Sequence, residues 1–180
     1  FERVDYMAGE HDDRCTYPVF MDGPDGALVF RFRDGASGNG VDYYNQYDEA
    51  SASWRRLVDV PILDGMDAMN AYARMPELGP DNQYHMVWMW RDTPDCATNH
   101  DISYARSRDL VNWQAGDGCT LPLPITVEAI SSIVDPVPIG GGLINMTQSL
   151  GFDAAQRPIV SYHKHDNHGH TQAYAARLEE

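Results

Sequence analysis

Hydrophobic and polar positions along the chain alternate in short runs rather than at helical spacing. Stretches rich in Val, Ile, Phe, Tyr and Trp are broken every few residues by Gly, Pro, Asp or Asn, which predicts strands and tight turns. "PVFMDGPDGALVFRFRD" (18 to 34) reads as strand, Pro-Asp-Gly turn, strand. Proline presets φ at such a turn and glycine accepts the positive φ that closes it. The same arrangement returns in "ARMPELGPDNQYHMVWMWRD" (73 to 92) and, more loosely, in "QSLGFDAAQRPIVSYHKHD" (148 to 166).

Each hairpin is followed by a loop of variable length and a third strand, "VDYYNQYD", "HDISYARS" or "TQAYAARL". In the first two units a short fourth segment with Trp follows, "SWRRL" and "NWQAG". Arg33 and Arg91 are 58 residues apart, and Trp54 and Trp113 are 59 apart, so two landmarks keep one period. Four short strands repeated at this period predict an all-β chain of propeller blades. About three blades are expected, over residues 15–65, 70–120 and 140–180. "SRDLVNW" (107 to 113) bears a faint likeness to an Asp-box turn, with the Trp too close to Asp109 and the glycine missing. Between the second and third units, "LPLPITVEAISSIVDPVPIGGGLIN" reads as a long connection rather than a strand. Connections of this length in compact folds are often functional.

Composition narrows the partners. The 180 residues carry 27 acidic and 13 basic side chains, a formal charge of −14. That balance argues against nucleic acid or an anionic membrane as the main partner, though a few focused arginines still suffice for an anionic sugar. No window approaches the roughly 18 apolar residues of a membrane helix. The chain opens on Phe1, which leads us to expect a portion of a longer protein.

The segments "TYPVFMDGPDGALVFRFRDGASGNG", "NAYARMPELGPDNQYHMVWMWRDTPDCATNHDISYARS", "LPLPIT", "VDPVPIGGGLIN" and "PIVSYHKHDNHGHTQAYAARLE" resemble the BNR-repeat-containing propeller family. That family is related to ulvan lyases and to α-L-rhamnosidases and rhamnose–glucuronate lyases. The resemblance implies that the chain is part of a seven-bladed propeller. It also implies histidines upstream of the Tyr-Pro motif, whose place His11 does not occupy. Residue by residue it carries over Tyr17 of that motif and Arg33, sixteen residues later, as catalytic groups. Tyr72 in "NAYA" is placed with them on a less specific match.

The implied reaction is β-elimination from a uronate- and rhamnose-containing acidic polysaccharide, in a secreted or periplasmic setting and with no cofactor needed for the chemistry. Arg33 would neutralise the uronate carboxylate, and a tyrosine would move a proton. An α-L-rhamnosidase-type hydrolase and a non-catalytic glycan-binding propeller are the alternatives. The residues themselves permit a plainer reading, in which Tyr17, Arg33 and Tyr72 only pack and Asp34 or Asp42 neutralises Arg33.

Arg91 and Lys164 hold the place of Arg33 in the next two units, which would bring three cations to one substrate pocket. Asn39, Asn70 and Asn145 are candidate readers of sugar hydroxyls, as are Asn45, Asn99 and Gln172; all are also ordinary turn residues. The three cysteines, Cys15, Cys96 and Cys119, are too few for a disulfide framework. Cys96 and His100 have spacing compatible with half of a structural zinc site, completed by a histidine of "YHKHDNHGH" such as His163. The alternative is a solvated turn and a free thiol.

Overall fold

The computed structural model describes residues 12–179; His11 lies outside them. Among the described residues the fold is all-β, with antiparallel strand pairs and helical structure limited to short 3₁₀ turns. The first sheet runs in order through β1 (Cys15–Asp22), β2 (Leu28–Ala36), β3 (Asn39–Asp48) and β4 (Ser53–Arg56). A short β5 (Leu63–Asp64) pairs with β3.

In the second sheet, β6 (Asn70–Ala71) and β7 (Glu77–Leu78) share one side of β8 (Tyr84–Arg91). Beyond β8 come β9 (Asn99–Ser107), β10 (Trp113–Gln114) and β11 (Thr120–Leu121). The stretch expected to be only a connection adds structure to this sheet. Its residues 133–135 form β12 (Ile133–Asp135) on β9, and Ile125 bridges to Leu63. The third sheet is β13 (Ser149–Phe152), β14 (Pro158–His165) and β15 (Thr171–Arg177), in that order.

The expected hairpin turns fall where Gly, Pro and Asn placed them. Asp25 and Gly26 take positive φ after Pro24, and Asn82 does so in the second hairpin.

Strand β8 explains how the sheets hold together. All eight of its residues are buried. Met86, Trp88 and Trp90 pack with Val29, Tyr44, Ile62 and Leu63 of the first sheet. The alternate residues Val87 and Met89 pack with Val160 and Tyr162 of the third. Successive side chains point to opposite faces of a strand, so a strand sandwiched between two sheets is apolar at most positions, here with His85 and the terminal Arg91 as buried polar exceptions. That is why "YHMVWMW" lacks the in-out alternation of a half-exposed strand. Burial of each large apolar side chain contributes about 1.5–3 kcal/mol.

On β2 the alternation is visible in full. Val29, Arg31 and Arg33 share the face turned toward the second sheet. Phe30 and Phe32 stack on the other, where Phe30 meets Trp54 and Phe20.

Candidate active site

The first sheet opens with a distortion. The β1–β2 register slips between Thr16 and Val19, a β-bulge in the Tyr-Pro motif. Tyr17 sits inside it with φ of 53°. Positive φ in a bulky residue costs on the order of 1–3 kcal/mol and persists only where the surroundings enforce it. A bulge also re-aims a side chain out of the strand's normal alternation. Here the Tyr17 ring meets the Tyr72 ring edge to face, with centroids 6.1 Å apart.

Arg33 lies between these two phenols. Its guanidinium carbon is 4.9 Å from the centroid of Tyr17 and 5.8 Å from that of Tyr72. Its Nε donates to Thr16 Oγ1 at 2.8 Å, and its Nη1 is buried without a hydrogen-bond partner. The neighbouring carboxylates each ion-pair with another arginine, and Asp42 also feels the charge of Arg33. Asp42 pairs with Arg31, and Asp34 pairs with Arg14 at 2.7 Å. Arg33 is thus a permanently charged group, 5% exposed, with one buried nitrogen short of a hydrogen bond.

Tyr72 follows β6 and is pinned through its backbone from two sides. Its N–H donates to the Met89 carbonyl, and its own carbonyl accepts from Gln148 Nε2 at 2.8 Å. The phenol oxygen is 2.9 Å from Ser37 Oγ. Burial alone would push this phenol up. Hydrogen bonding from Ser37 and Arg33, with the positive charges of Arg91 and Arg33, outweighs it and holds the group below the usual tyrosine range. Tyr17, Arg31, Arg33, Ala71, Tyr72, Ala73 and Met146 together line a small recess.

The repeat-equivalent cations do not join Arg33 as expected. Arg91 comes near, with its guanidinium carbon 4.9 Å from the Tyr72 centroid, but its own donors are spent on backbone. Its Nε donates to the Thr93 carbonyl at 3.1 Å and its Nη2 to the Pro94 carbonyl. Lys164 is not brought to the recess lining. It ion-pairs with Asp135 and lies 4.8 Å from the Tyr174 ring centroid.

The amides also divide. Asn70 is fully buried and accepts from the Gly38 backbone N–H. Gly38 has φ of 79°, and a Cβ there would stand 2.7 Å from the Thr93 Cα. Only glycine therefore lets the β2–β3 turn press against the Thr93–Pro94 turn. Asn99 is equally buried, donating to the Leu143 carbonyl at 2.9 Å and reaching Asn145 Oδ1 at 3.4 Å. Asn45 is buried beside Arg56. Asn39 is exposed at the β2–β3 turn, and Gln172 is exposed on β15. Neither lines the recess.

Cys96, His100 and His163 are not gathered into a metal-binding set. Cys96 is exposed. Both ring nitrogens of His100 are engaged, with Asp101 and Asp92 each at 2.9 Å. His163 contacts Thr147 at 3.4 Å. Among the described residues no group of three or more His, Cys, Asp or Glu side chains is arranged to hold a metal ion. As placed, these three do not fit a zinc site.

Residues 1–180 match the sequence profile of the BNR repeat-containing family throughout. The chain belongs to that family. Over 63 residues it is 35% identical to an ulvan lyase, short isoform, of Alteromonas sp. (strain LOR), a match that covers 35% of this chain and 12% of the relative. Two solved structures share the fold. The polysaccharide lyase Uly1 superposes with a TM-score of 0.70 at 17% identity, over 94% of this chain and 40% of the lyase. An ulvan lyase of family PL25 bound to GlcA(1-4)Rha3S superposes with a TM-score of 0.67 at 19% identity, over 91% of this chain and 41% of that one. The chain thus spans about two fifths of the length of the structures it resembles. No helix among the described residues is long and apolar enough to cross a membrane, which leaves strand-built spans aside.

Thr16, Ser37, Met146 and Gln148 were not expected at the site, whereas the strand alternation already set Arg31 on the face of Arg33. Thr16 adjoins the Tyr-Pro motif and Arg31 precedes Arg33 by one pleat, so both had a local signal. Ser37, Met146 and Gln148 reach the recess or Tyr72 from elsewhere in the chain, and no local pattern marks them.

Proposed function

We propose that the three sheets are consecutive blades of a propeller and that the recess at Tyr17, Arg33 and Tyr72 belongs to a polysaccharide lyase. Its substrate is an acidic polysaccharide containing uronate and rhamnose, met outside the cytoplasm, and the bond is broken by β-elimination. The observation that carries the reading is the buried, partner-short Nη1 of Arg33 between two phenols.

In this reaction the proton beside the uronate carboxylate leaves carbon, and the electrons released form a double bond as the sugar oxygen on the next carbon departs. Charge develops on the carboxylate, where an arginine aimed in advance stabilises it at no cost of reorganisation. Arg33 binds that carboxylate by charge-assisted hydrogen bonds. Tyr72 and Tyr17 are the two proton-transfer groups. A phenol held below its usual range is better matched to proton transfer near neutral pH, as Tyr72 is. Tyr17 is 45% exposed, where a sugar ring has access to it.

Hydrolysis by a pair of carboxylates finds no support in the recess, since none of its described lining residues is Asp or Glu. The decisive experiment incubates the full-length protein with ulvan and follows the absorbance of the unsaturated product. A rise that disappears in Arg33→Ala supports elimination. Reducing ends released without that absorbance would point to the rhamnosidase-type hydrolase, and saturable binding without turnover to a glycan-binding propeller.

A further inference from the structure

A second cleft opens at the far end of the second sheet. Its volume is about 500 Å³, and its lining includes Gln83, Arg106, Arg108, Asn112, Gln114 and Thr120. Strands β8 and β9 run antiparallel, with Arg91 opposite Asn99 at one end and Tyr84 opposite Ser107 at the other. Asn99 and Arg106 are seven residues apart on β9, which at about 3.4 Å per residue places the cleft roughly 24 Å along the sheet from the Arg91 end.

The electrostatics of this cleft run against those of the chain. The molecule carries a charge of −14, and four of its twelve arginines, Arg14, Arg31, Arg157 and Arg177, form ion pairs among the described residues. Among the described residues Arg106 and Arg108 form none. Arg106 Nε is buried without a hydrogen-bond partner.

Asp109 also lines the cleft, and its carboxylate is already saturated. It accepts from Ser107 Oγ, from the backbone N–H groups of Val111 and Asn112, and from Asn112 Nδ2. Partial burial opposes ionisation, but these bonds outweigh it and hold the carboxyl below its usual range. This is the turn in "SRDLVNW". With Asp109 satisfied internally, the one carboxylate of the lining forms no ion pair with either guanidinium.

We propose that the cleft is an anion-recognising subsite for an acidic polysaccharide, separate from the Arg33 recess. Arg106 and Arg108 take a carboxylate or sulfate group, while Gln83, Asn112, Gln114 and Thr120 meet sugar hydroxyls. A guanidinium fork suits either anion. The amides and the hydroxyl favour a glycan over a simple ion, since they supply both donors and acceptors. The inference leans on the preceding section only for the identity of the polymer.

Affinity electrophoresis of the full-length protein, carried out in an Arg33→Ala background, tests the site without turnover. Gels contain polygalacturonate, which offers only carboxylates, dextran sulfate, which offers only sulfates, or neutral dextran. Retardation is expected in at least one anionic gel and not in neutral dextran. Which polymer retards the protein identifies the anion.

Combined Arg106→Gln and Arg108→Gln should weaken retardation roughly tenfold or more, the loss of charge-assisted hydrogen bonds. Arg108→Glu, at an exposed position that cannot disturb the core, should weaken it severalfold by itself. Unchanged retardation in either variant overturns the proposal, as does no retardation by either anionic polymer. Arginine-dependent retardation in a protein that never eliminates would leave this site standing and overturn only the lyase reading.

Discussion

Arg33 and Arg91 occupy equivalent places in two successive units, one residue-period apart, and do different work. Arg91 ends β8 and Arg33 lies three residues before the end of β2, and both lie against the Tyr72 ring. Arg33 retains a buried Nη1 with no partner, whereas Arg91 spends its donors on the carbonyls of Thr93 and Pro94. The connection that follows each strand makes the difference. After β2 only Ser37 and Gly38 separate the strands. After β8 the chain wanders from Asp92 to Thr98 before β9, folding carbonyls over the guanidinium. A repeat thus fixes where a charge sits, while the loop decides how many of its donors are taken up by backbone.

That comparison can be broken at several points. The largest effect is expected from removing Arg33. Arg33→Ala should lower kcat by about 10²–10³-fold, the range seen when a preorganised electrostatic donor is lost, with little change in denaturation midpoint. Arg33→Lys should restore only a minor part, because a point charge cannot reproduce the fork. Steady-state kinetics beside urea denaturation separate the two readouts, and a stability loss matching the activity loss would make Arg33 structural.

Next is Tyr72→Phe, expected to reduce kcat by roughly 10²-fold, the lower end for a proton-transfer group. Its companion, Ser37→Ala, should be milder and should move the pH profile. Removing the Ser37 hydrogen bond takes away one influence that holds the phenol down, so the Tyr72 pKa rises. If the phenolate is the working form, the rising limb of kcat/KM against pH then shifts to higher pH. A shift to lower pH would contradict the assignment.

Arg91→Ala should do the reverse of Arg33→Ala. Losing two charge-assisted bonds to the Thr93–Pro94 turn should cost about 1.5–3 kcal/mol of stability, with a smaller drop in activity through Tyr72. The smallest effect is expected at the third equivalent position. Lys164→Ala removes a partly exposed ion pair with Asp135, worth about 1 kcal/mol or less, and should leave turnover within about twofold of the parent. A large activity loss there would restore the picture of three converging cations.

The strands were legible because their signals are local. The alternation in "LVFRFRD" put Arg31 and Arg33 on one face, and the turn residues fixed each hairpin. Tyr17 and Arg33 were legible through the Tyr-Pro motif and its spacing to the arginine. The backbone strain at Tyr17 was not, since a bulge depends on how β1 meets β2. Asn70 and Asn99 looked like sugar readers because polar turn residues are usually exposed. In the fold they are buried beneath loops of neighbouring sheets, where they satisfy the Gly38 N–H and the Leu143 carbonyl. The same distance in sequence hid Gln148, which holds the Tyr72 carbonyl from 76 residues away.

By itself the sequence determined the hairpins, their repeat and the positions of the three equivalent cations, because strand alternation and turn φ values depend on residues a few places apart. The tertiary structure alone decided which cation stays unpaired. Satisfaction of a buried charge depends on whatever carbonyl or carboxylate lies within about 3 Å in space. For Arg91 these are the carbonyls of a folded-back loop, and for Lys164 the carboxylate of Asp135 on a strand of another sheet. For Arg33 the nearby carboxylates were already held by Arg14 and Arg31.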